Sequence, residues 1–348
     1  MYMHHKQHVR VFLTKLGILV NRQIILASRP TGLPCPENFR MIESSVPVPG
    51  EGEVLIRHTH LGLAPAARLQ MGEAASYRAP MKIGDVIYGQ ALGTVLKSRN
   101  PLYREGDVVM IQDGGWQEYS ISDGHAVTKV ESDIAPLTVW LGALGTSGMT
   151  AYVGLLDFGL PQMGETVVVS AASGAVGSMV GQIARIKGCR VVGIAGGQEK
   201  MTHLRRDFGY DAAVDYKDAA FDEALREACS AGIDVYFDNV GGHVRDVAWP
   251  LMNRNGRIVV CGQISEYNDS PASGPGWFDI LARRLSVRGF ILSDHANRRP
   301  DFLRDMGAWY REGRIAIREE VQEGLDLAVP AFIAMLQGKN SGKAIIKL

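Results

Sequence analysis

Apolar and polar residues alternate in two different ways along this chain of 348 residues. From about residue 22 to residue 132, short runs such as QIILAS, EVLIRHTHLGL and GDVVMIQ are separated by glycine, proline and aspartate. This pattern is typical of strands joined by turns. From about residue 141 to residue 310, apolar runs such as TVVVSA, CRVVGIAG and IDVYFDNV alternate with segments of helical period. The second pattern predicts βαβ units and a doubly wound parallel sheet.

These patterns predict an α/β protein of two domains. Residues 22–140 and 311–348 are predicted to form a mostly β catalytic domain, most simply a barrel, because the tail returns to the style of the first segment with AFIAMLQG and KAIIKL. Residues 141–310 are predicted to form a Rossmann cofactor domain. Residues 1–21 are basic and then briefly apolar, but no small-residue cleavage site follows. They are expected to be a disordered extension rather than a signal peptide.

Composition and charge narrow the range of partners and compartments. Lys plus Arg and Asp plus Glu both number 37, a balance that argues against a nucleic-acid-binding protein. No apolar run reaches the ~20 residues that span a bilayer, so no membrane partner is expected. The four cysteines lie far apart and form neither a CxxC pair nor a disulfide framework. Their arrangement favours a reducing cytoplasm.

Residues 164–181, GETVVVSAASGAVGSMVG, place a glycine-rich turn between a predicted strand and a predicted helix. The helix is predicted by one apolar face, Val176, Met179, Val180, Ile183 and Ile186. Free backbone N–H groups and the helix dipole at such a turn can hold a pyrophosphate, and a side chain there would keep the backbone from the phosphates. Ala172 replaces the first glycine of the G-x-G-x-x-G pattern, so a purely structural turn is the alternative.

The strand after this turn bears on which nicotinamide cofactor is bound. An NAD site usually carries Asp or Glu ~20 residues beyond the glycines, where it holds the ribose hydroxyls. Here the strand ends in Ala195-Gly196-Gly197 with no carboxylate, and Lys200 follows. The small residues leave room and the cation can pair with a 2′-phosphate, which favours NADPH. The alternative for Lys200 is a solvated lysine at the start of a helix.

The motifs in combination resemble the zinc-independent medium-chain dehydrogenase/reductases. Within that family, they are most similar to the leukotriene B4 dehydrogenase or prostaglandin reductase group, and especially to bacterial NADPH-dependent curcumin and 2-alkenal reductases. The resemblance covers about residues 22–348. It rests on GMTAYVGL (148–155), AASGAVGSMVGQIA (171–184), VVGIAGGQEK (191–200), FDNVGG (237–242), CGQISEYN (261–268), GFIL (289–292) and NSGKAIIK (340–347). It implies a GroES-like β-barrel beside a Rossmann domain, NADP(H) as the cofactor, and a homodimer formed through the cofactor domains.

The resemblance also implies a set of cofactor contacts. The pyrophosphate and ribose would be lined by Thr150, Gly174, Ala175, Val176 and Gly177. The 2′-phosphate would be bound by Lys200 and Tyr216, with Asn340 and Gly342 closing over it. The ribose and nicotinamide would meet Asn239, Cys261, Ile264 and Ser265, and the carboxamide would meet backbone groups of Phe290 and Leu292. Taken singly, Asn239 is also expected in a strand-end turn, and Cys261 as a buried small hydrophobe.

Tyr267 stands where the family places its active-site tyrosine, although by itself it would suggest only a surface loop. His58, His60 and His125 lack a cysteine-rich partner set, so a zinc site is not expected. Without a Lewis acid, reduction of an enone or enal needs only one positioned O–H on the developing enolate. We therefore expect a double-bond reductase acting on small-molecule enones or enals. A quinone or 15-oxo-eicosanoid reductase and a non-catalytic NADPH-binding protein are the alternatives.

One segment departs from the family pattern. Residues 61–71 read LGLAPAARLQM where relatives commonly read LSLDPYMRGRM. Pro65, Arg68 and Met71 remain, while Ala64, Ala66 and Ala67 replace aspartate, tyrosine and methionine. The family tyrosine at position 66 borders the substrate pocket, so its loss predicts a wider pocket unless Tyr77, Trp277 or Phe278 fills the space. Thr146 and Ser147 also stand where relatives often have Met-Pro.

Overall fold

The structure is a computed structural model that describes residues 20–73, 76–131, 134–268 and 274–348. Most of the predicted N-terminal extension lies outside these ranges. Its last two residues, Val20 and Asn21, are instead the start of the first strand. Asn21 is buried there. Its side-chain amide donates to the carbonyl of Tyr119 at 2.9 Å, and this hydrogen bond connects the strand to a distant segment.

The first domain is built on antiparallel strands. The strands β1 (Val20–Leu26) and β2 (Phe39–Ser45) pair with each other. A seven-stranded sheet contains β3 (Val54–Gly62), β4 (Gln90–Ser98), β5 (Val108–Ile111), β6 (Tyr119–Ser122), β7 (Val127–Lys129), β14 (Glu319–Glu323) and β15 (Lys343–Lys347). Strand β15 lies between β14 and β3, so the tail completes a sheet that begins more than 250 residues earlier. The helices of this domain are α1 (Ala66–Gln70) and α9 (Ala328–Leu336).

The second domain is a doubly wound sheet of six parallel strands. The strands are β8 (Thr166–Val169), β9 (Arg190–Ala195), β10 (Ala212–Asp215), β11 (Ile233–Asp238), β12 (Met252–Val260) and β13 (Ser286–Gly289). The helices are α2 (Thr146–Val153), α3 (Gly177–Ile186), α4 (Gln198–Arg206), α5 (Phe221–Ala228), α6 (Gly242–Ala248), α7 (Trp277–Arg283) and α8 (Arg299–Arg311). The strand order β10-β9-β8-β11-β12-β13 confirms the predicted doubly wound fold. It reverses direction between β8 and β11, which opens a crevice at the carboxyl ends of the strands.

Short helical turns link these elements. Helix α2 continues into a π-helical turn at Gly154–Gly159, and short 3₁₀ segments lie at Pro36–Asn38, Leu137–Leu141, Trp249–Leu251, Ile264–Glu266, Leu292–Arg298 and Leu325–Leu327. None of the helices in the described ranges is both long and apolar enough to cross a membrane.

The predicted helix face after the glycine turn is confirmed. Met179, Val180 and Ile183 of α3 are buried against the sheet. The predicted strand SVRGFIL is shorter than expected, because β13 pairs with β12 only as far as Gly289. Phe290 and Leu292 leave the sheet beyond that point and turn towards the crevice.

Candidate active site

A cleft of about 1090 Å³ is lined by residues of both domains. Loops at the carboxyl ends of β8, β9, β11 and β12 form one side, and α1, β4 and the tail before β15 contribute to the other. The structure brings every residue of the sequence-based prediction to this cleft: Ala66, Thr150, Gly174, Ala175, Val176, Gly177, Lys200, Tyr216, Asn239, Cys261, Ile264, Ser265, Tyr267, Phe290, Leu292, Asn340 and Gly342. Their roles at this cleft stay predictions.

The glycine turn is tight, and it fits a pyrophosphate. A Cβ on Gly177 would lie 2.3 Å from the carbonyl oxygen of Ala171, so no larger residue fits without moving the turn. A Cβ on Gly174 would meet only that same oxygen, at 3.2 Å, which leaves open space on its other sides. The N-terminus of α3 opens here, where free N–H groups attract anions.

The tail of the chain closes on this turn. The N–H of Gly342 donates to the carbonyl of Ser173 at 2.8 Å. Gly342 has φ +78°, and a Cβ there would lie 2.1 Å from the carbonyl oxygen of Arg318. Both its conformation and its close packing therefore require glycine. The last motif of the chain and the glycine turn are neighbours in space, although more than 160 residues separate them in sequence.

Two lysines lie close together where β9 ends. Lys200 Nζ donates to the carbonyl of Gly338 at 2.6 Å. Burial lowers the pKa of Lys200, and the positive charge of Lys217 lowers it further. Because Gly196 has no side chain, Tyr216 and Lys217 can approach: a Cβ there would lie 2.7 Å from one and 2.8 Å from the other. Two neighbouring cations fit a phosphate. Sequence reasoning missed Lys217, whose only signal was its position next to Tyr216.

Asn239 both makes a strand-end turn and faces the cleft. Its side-chain amide donates to the carbonyl of Ser170 at 2.8 Å, and its own N–H donates to Ser170 Oγ at 2.8 Å. The preceding Asp238 is 2% exposed and accepts hydrogen bonds from the N–H groups of Val240 and Gly241, each at 3.0 Å. Burial raises the pKa of Asp238. The functional and structural interpretations of the FDNVGG motif are therefore compatible.

Tyr267 presents a protonated hydroxyl. Burial raises its pKa to about 12, so the proton stays on the oxygen near neutral pH. The N–H of Gln263 points at the same oxygen, 3.4 Å away, which leaves the hydroxyl proton available to a ligand. Cys261 is also protonated, because burial raises its thiol pKa to about 12. Its side chain is half-buried at the cleft, so the interpretation as a fully buried small hydrophobe holds only in part.

The residues on either side of Tyr267 are anchored to different domains. Glu266 Oε1 accepts from the N–H of Gly242 at 2.9 Å and from Arg245 Nη1 at 3.1 Å, both within the second domain. Asn268 Oδ1 accepts from Arg68 Nε at 2.9 Å, across to the first domain.

Arg68 itself is firmly held. It is 7% exposed in α1, and its Nη2 donates to the carbonyl of Gly32 at 3.0 Å. The arginine that persists in the altered segment 61–71 thus reaches the loop of the tyrosine. The sequence shows that Arg68 of the family pattern is retained, but it does not show what Arg68 contacts.

The altered segment forms part of the cleft wall. Ala64 and Ala66 line the cleft, whereas Ala67 is buried behind it. Of the three aromatic residues considered as fillers, Tyr77 lines the cleft. Trp277 and Phe278 do not line it and are 85% and 76% exposed on α7. Of the three candidate fillers, Tyr77 alone shares the cleft with the two alanines.

Sequence reasoning also missed a hydrogen-bonded cluster of polar side chains in the same cleft, formed by Gln90, Gln112 and Thr146. Gln90 Nε2 donates to Gln112 Oε1 at 2.7 Å, and Thr146 Oγ1 donates to the same oxygen at 2.9 Å. Gln90 Nε2 contacts Thr146 Oγ1 as well. The only sequence signal was the unusual threonine at position 146.

His58, one of the three histidines considered as metal ligands, has other contacts. His58 is buried between Ser120 Oγ, at 2.7 Å, and the carbonyl of Gln117, at 2.8 Å. Burial lowers its pKa to about 4. Within the described ranges, no three His, Cys, Asp or Glu residues group in a way that could hold a metal ion.

Comparisons with known proteins agree with this architecture. Residues 22–130 match a family described as the N-terminal domain of oxidoreductase, and residues 175–308 match one described as zinc-binding dehydrogenase. The chain is 45% identical to the NADPH-dependent curcumin reductase of Escherichia coli, covering 94% of this chain and 97% of that protein. It is 42% identical to prostaglandin reductase 1 of Bos taurus, covering 91% and 95%. A crystal structure of CurA from Vibrio vulnificus in complex with NADPH has a TM-score of 0.89 at 43% identity, covering 94% and 98%.

Proposed function

Because this chain belongs to the medium-chain dehydrogenase/reductase family, in the group of curcumin and prostaglandin reductases, we propose that it is an NADPH-dependent, zinc-independent reductase of the C=C bond of α,β-unsaturated ketones and aldehydes. The observation that carries the proposal is the protonated hydroxyl of Tyr267 in the same cleft as the glycine turn and Lys200. A hydride source and an enolate-stabilising donor can meet only if both line one cavity.

The residues of this chain position the reactants and stabilise charge. Bound NADPH supplies a hydride to the β-carbon of the substrate. As the C=C electrons shift towards the carbonyl, negative charge develops on its oxygen, and Tyr267 Oη donates a hydrogen bond to that oxygen. The α-carbon then takes a proton from water or from the tyrosine, so one hydride and one proton are added across the double bond. With its pKa raised to about 12, Tyr267 holds its proton until the charge appears.

The cofactor residues divide by the part of NADPH that they would meet. Gly174, Ala175, Val176, Gly177 and Thr150 would line the pyrophosphate and ribose. Lys200 and Tyr216 would bind the 2′-phosphate, with Asn340 and Gly342 at the closing tail. Asn239, Cys261, Ile264 and Ser265 would lie along the ribose and nicotinamide, and Phe290 and Leu292 would meet the carboxamide. The close approach of Gly342 to Ser173 supports a closed tail over the phosphates.

We also infer a cytoplasmic homodimer formed through the second domain. Strand β13 is an edge of the six-stranded sheet, and unpaired edges favour pairing with another strand. Beside it, α7 exposes Trp277, Phe278 and Leu281, between 72% and 85% exposed. A contiguous apolar surface of this kind is typical of an interface. Size-exclusion chromatography with light scattering would detect the dimer, and Leu281→Asp should weaken it.

An NADPH-oxidation screen over enones, enals, nitroalkenes and quinones tests the proposed activity. We expect oxidation with enones and enals, and a saturated product two mass units heavier than the substrate. Turnover of quinones alone would favour quinone reductase activity instead. Tight NADPH binding with no turnover of any substrate class would favour the non-catalytic alternative. The match to prostaglandin reductase 1 makes 15-oxo-eicosanoids a second enone class to include.

A further inference from the structure

Two departures from the family pattern lie side by side in the cleft. Thr146 stands where relatives often have methionine, and segment 61–71 carries alanines in place of larger residues. The sheet brings them together, because Gly62 of the altered segment pairs with Gln90 on the neighbouring strand, and Gln90 Nε2 contacts Thr146 Oγ1. The wall that has lost bulk therefore adjoins a position where a polar side chain replaces an apolar one.

The cluster formed by Gln90, Gln112 and Thr146 is held by its own hydrogen bonds. Gln112 Oε1 accepts from Gln90 Nε2 at 2.7 Å and from Thr146 Oγ1 at 2.9 Å. Gln90 is 6% exposed, and a polar side chain buried to that extent normally has hydrogen-bond partners. The three side chains are therefore oriented by one another, whatever ligand is bound.

The cluster leaves one acceptor and one donor unused. Gln90 Oε1 and Gln112 Nε2 have no hydrogen-bond partner among the described residues, and neither belongs to the unpaired atoms that those residues enclose completely. Both side chains line the cleft, so a ligand in the cleft can reach these two atoms. Rotating both amides by 180° would exchange donors and acceptors, but one carbonyl oxygen and one amino group would again stay free.

We propose that the Gln90–Gln112–Thr146 cluster binds an uncharged carboxamide of the substrate, remote from the reacting double bond. This inference rests on the proposed reductase function. A carboxamide carries its N–H donor and its carbonyl acceptor on two separate atoms, so it complements the free carbonyl oxygen and the free amino group of the cluster. An ester or a carboxylate has no donor, and would leave Gln90 Oε1 without a partner.

The position of the cluster favours the substrate over the cofactor. Thr150 Oγ1 donates to the carbonyl of Thr146 at 2.8 Å, so the cluster lies one helical turn from a proposed cofactor contact. The carboxamide of the cofactor has other candidate partners, in the backbone at Phe290 and Leu292. The cluster itself adjoins the altered segment 61–71, on the proposed substrate side.

Matched substrates test this assignment. One enone is joined through alkyl tethers of different length to a primary carboxamide, and each compound is compared with its methyl ester. For the unmutated protein, we expect the amide with the best-fitting tether to have a kcat/KM about tenfold above that of its ester, because the ester leaves Gln90 Oε1 unpaired. Gln112→Met removes the free donor and the acceptor that orients Gln90, so the amide-to-ester ratio of kcat/KM should fall to about one.

Three further variants separate this role from general damage to the cleft. Thr146→Val removes the hydroxyl that orients Gln112 and should lower the amide-to-ester ratio, whereas Thr146→Ser keeps a hydroxyl and should preserve the ratio. Thr128→Val removes a hydroxyl elsewhere in the same cleft and should keep the ratio of the unmutated protein. Because a ratio does not depend on the amount of active protein, a partly unfolded variant does not imitate the expected result.

Several outcomes would overturn the assignment. Equal falls of the ratio in Thr146→Val and Thr128→Val would exclude a specific role of the cluster. A loss of NADPH affinity in Gln112→Met, larger than the change in the KM for the amide, would assign the cluster to the cofactor. Preference for a terminal alcohol of the same series over the amide would disprove the carboxamide. If the unmutated protein reduces esters but prefers no amide of the series, this inference fails while the proposed function stands. If it reduces neither, the proposed function fails.

Discussion

The two sides of the cleft differ in how their residues are specified. On the proposed cofactor side, a Cβ on Gly177 would collide with the backbone of Ala171, and a Cβ on Gly196 would collide with the side chains of Tyr216 and Lys217. On the proposed substrate side, the small side chains of Ala64 and Ala66 line the cleft, and Tyr77 lines it from a separate loop. A pyrophosphate-binding turn needs fixed backbone geometry, whereas a substrate pocket can change with single side chains. The side of the cleft that keeps the family motifs therefore indicates the chemistry, and the side with the altered segment 61–71 indicates the substrate specificity.

The largest expected effect lies where the two sides meet. Tyr267→Phe removes the proposed hydrogen-bond donor to the enolate, so kcat for enone reduction should fall on the order of 10²-fold. NADPH affinity, measured by fluorescence titration, should change little, because the hydroxyl is not a proposed phosphate contact. Normal kcat in this variant for every enone tested would remove Tyr267 from the mechanism.

The pH dependence sharpens that test. The pKa of Tyr267 is raised to about 12, so the donating, protonated form persists at every pH below that value and is lost only above it. Between about pH 6 and 9 the kcat profile should show no decline from this group. Tyr267→Phe should lower the whole profile without changing its shape. A decline in kcat centred near pH 8 that vanishes in the variant would contradict the raised pKa.

A smaller effect is expected at Lys200, the proposed partner of the 2′-phosphate of NADPH. Lys200→Glu replaces an attractive charge by a repulsive one, so the KM for NADPH should rise about tenfold or more. The KM for NADH, which lacks the phosphate, should change much less. Lys217→Gln should weaken NADPH binding in the same direction but less, because Lys217 does not line the cleft. Equal catalytic efficiency of the unmutated protein with NADPH and NADH would disprove the cofactor preference.

The contact between Arg68 and Asn268 joins the two sides and can be tested separately. Asn268→Ala removes the acceptor of the 2.9 Å hydrogen bond beside Tyr267. We expect kcat to fall several-fold through a less well-held tyrosine, with NADPH affinity nearly unchanged. Tm should fall as well, because the buried Nε–H of Arg68 loses its acceptor. Asn268→Asp keeps an acceptor and adds a charge, so it should restore most of kcat. If alanine and aspartate variants behave alike, the contact does not position Tyr267.

The smallest expected effect concerns substrate size. Apolar surface buried by a ligand stabilises binding by roughly 25 cal/mol per Å² at most, so a bulky enone should gain from the space at Ala66 and a small enal should not. Ala66→Tyr should lower the ratio of kcat/KM for a bulky aromatic enone to that for a three- or four-carbon enal by a few-fold. Tyr77→Ala should shift the same ratio in the opposite direction. An unchanged ratio in Ala66→Tyr would show that this segment is not the substrate wall.

Much of the fold was predictable because its signals are local. The period of Met179, Val180 and Ile183 predicts the helix after the glycine turn, and this helix is present. Alternating strands and helices between residues 141 and 310 predict the parallel sheet, which is also present. The end of β13 was less predictable, because the strand stops where its neighbour no longer pairs with it. Gly289, a residue type that weakens strands, stands at that point, but a single glycine does not by itself fix the end of a strand.

By itself, the sequence determined the two-domain architecture and the glycine turn, since both follow from local patterns of apolar residues and glycines. The set of residues around the cleft came from the resemblance to a known family. Only the tertiary structure decided which groups the cations meet, such as the carbonyl of Gly338 that accepts from Lys200 Nζ. It alone joined Arg68 to Asn268, 200 residues apart, and placed Tyr77, but not Trp277, in the lining of the cleft. The physical reason is that such contacts form between segments distant in the chain, where neither hydrophobic period nor motif spacing records which side chains meet.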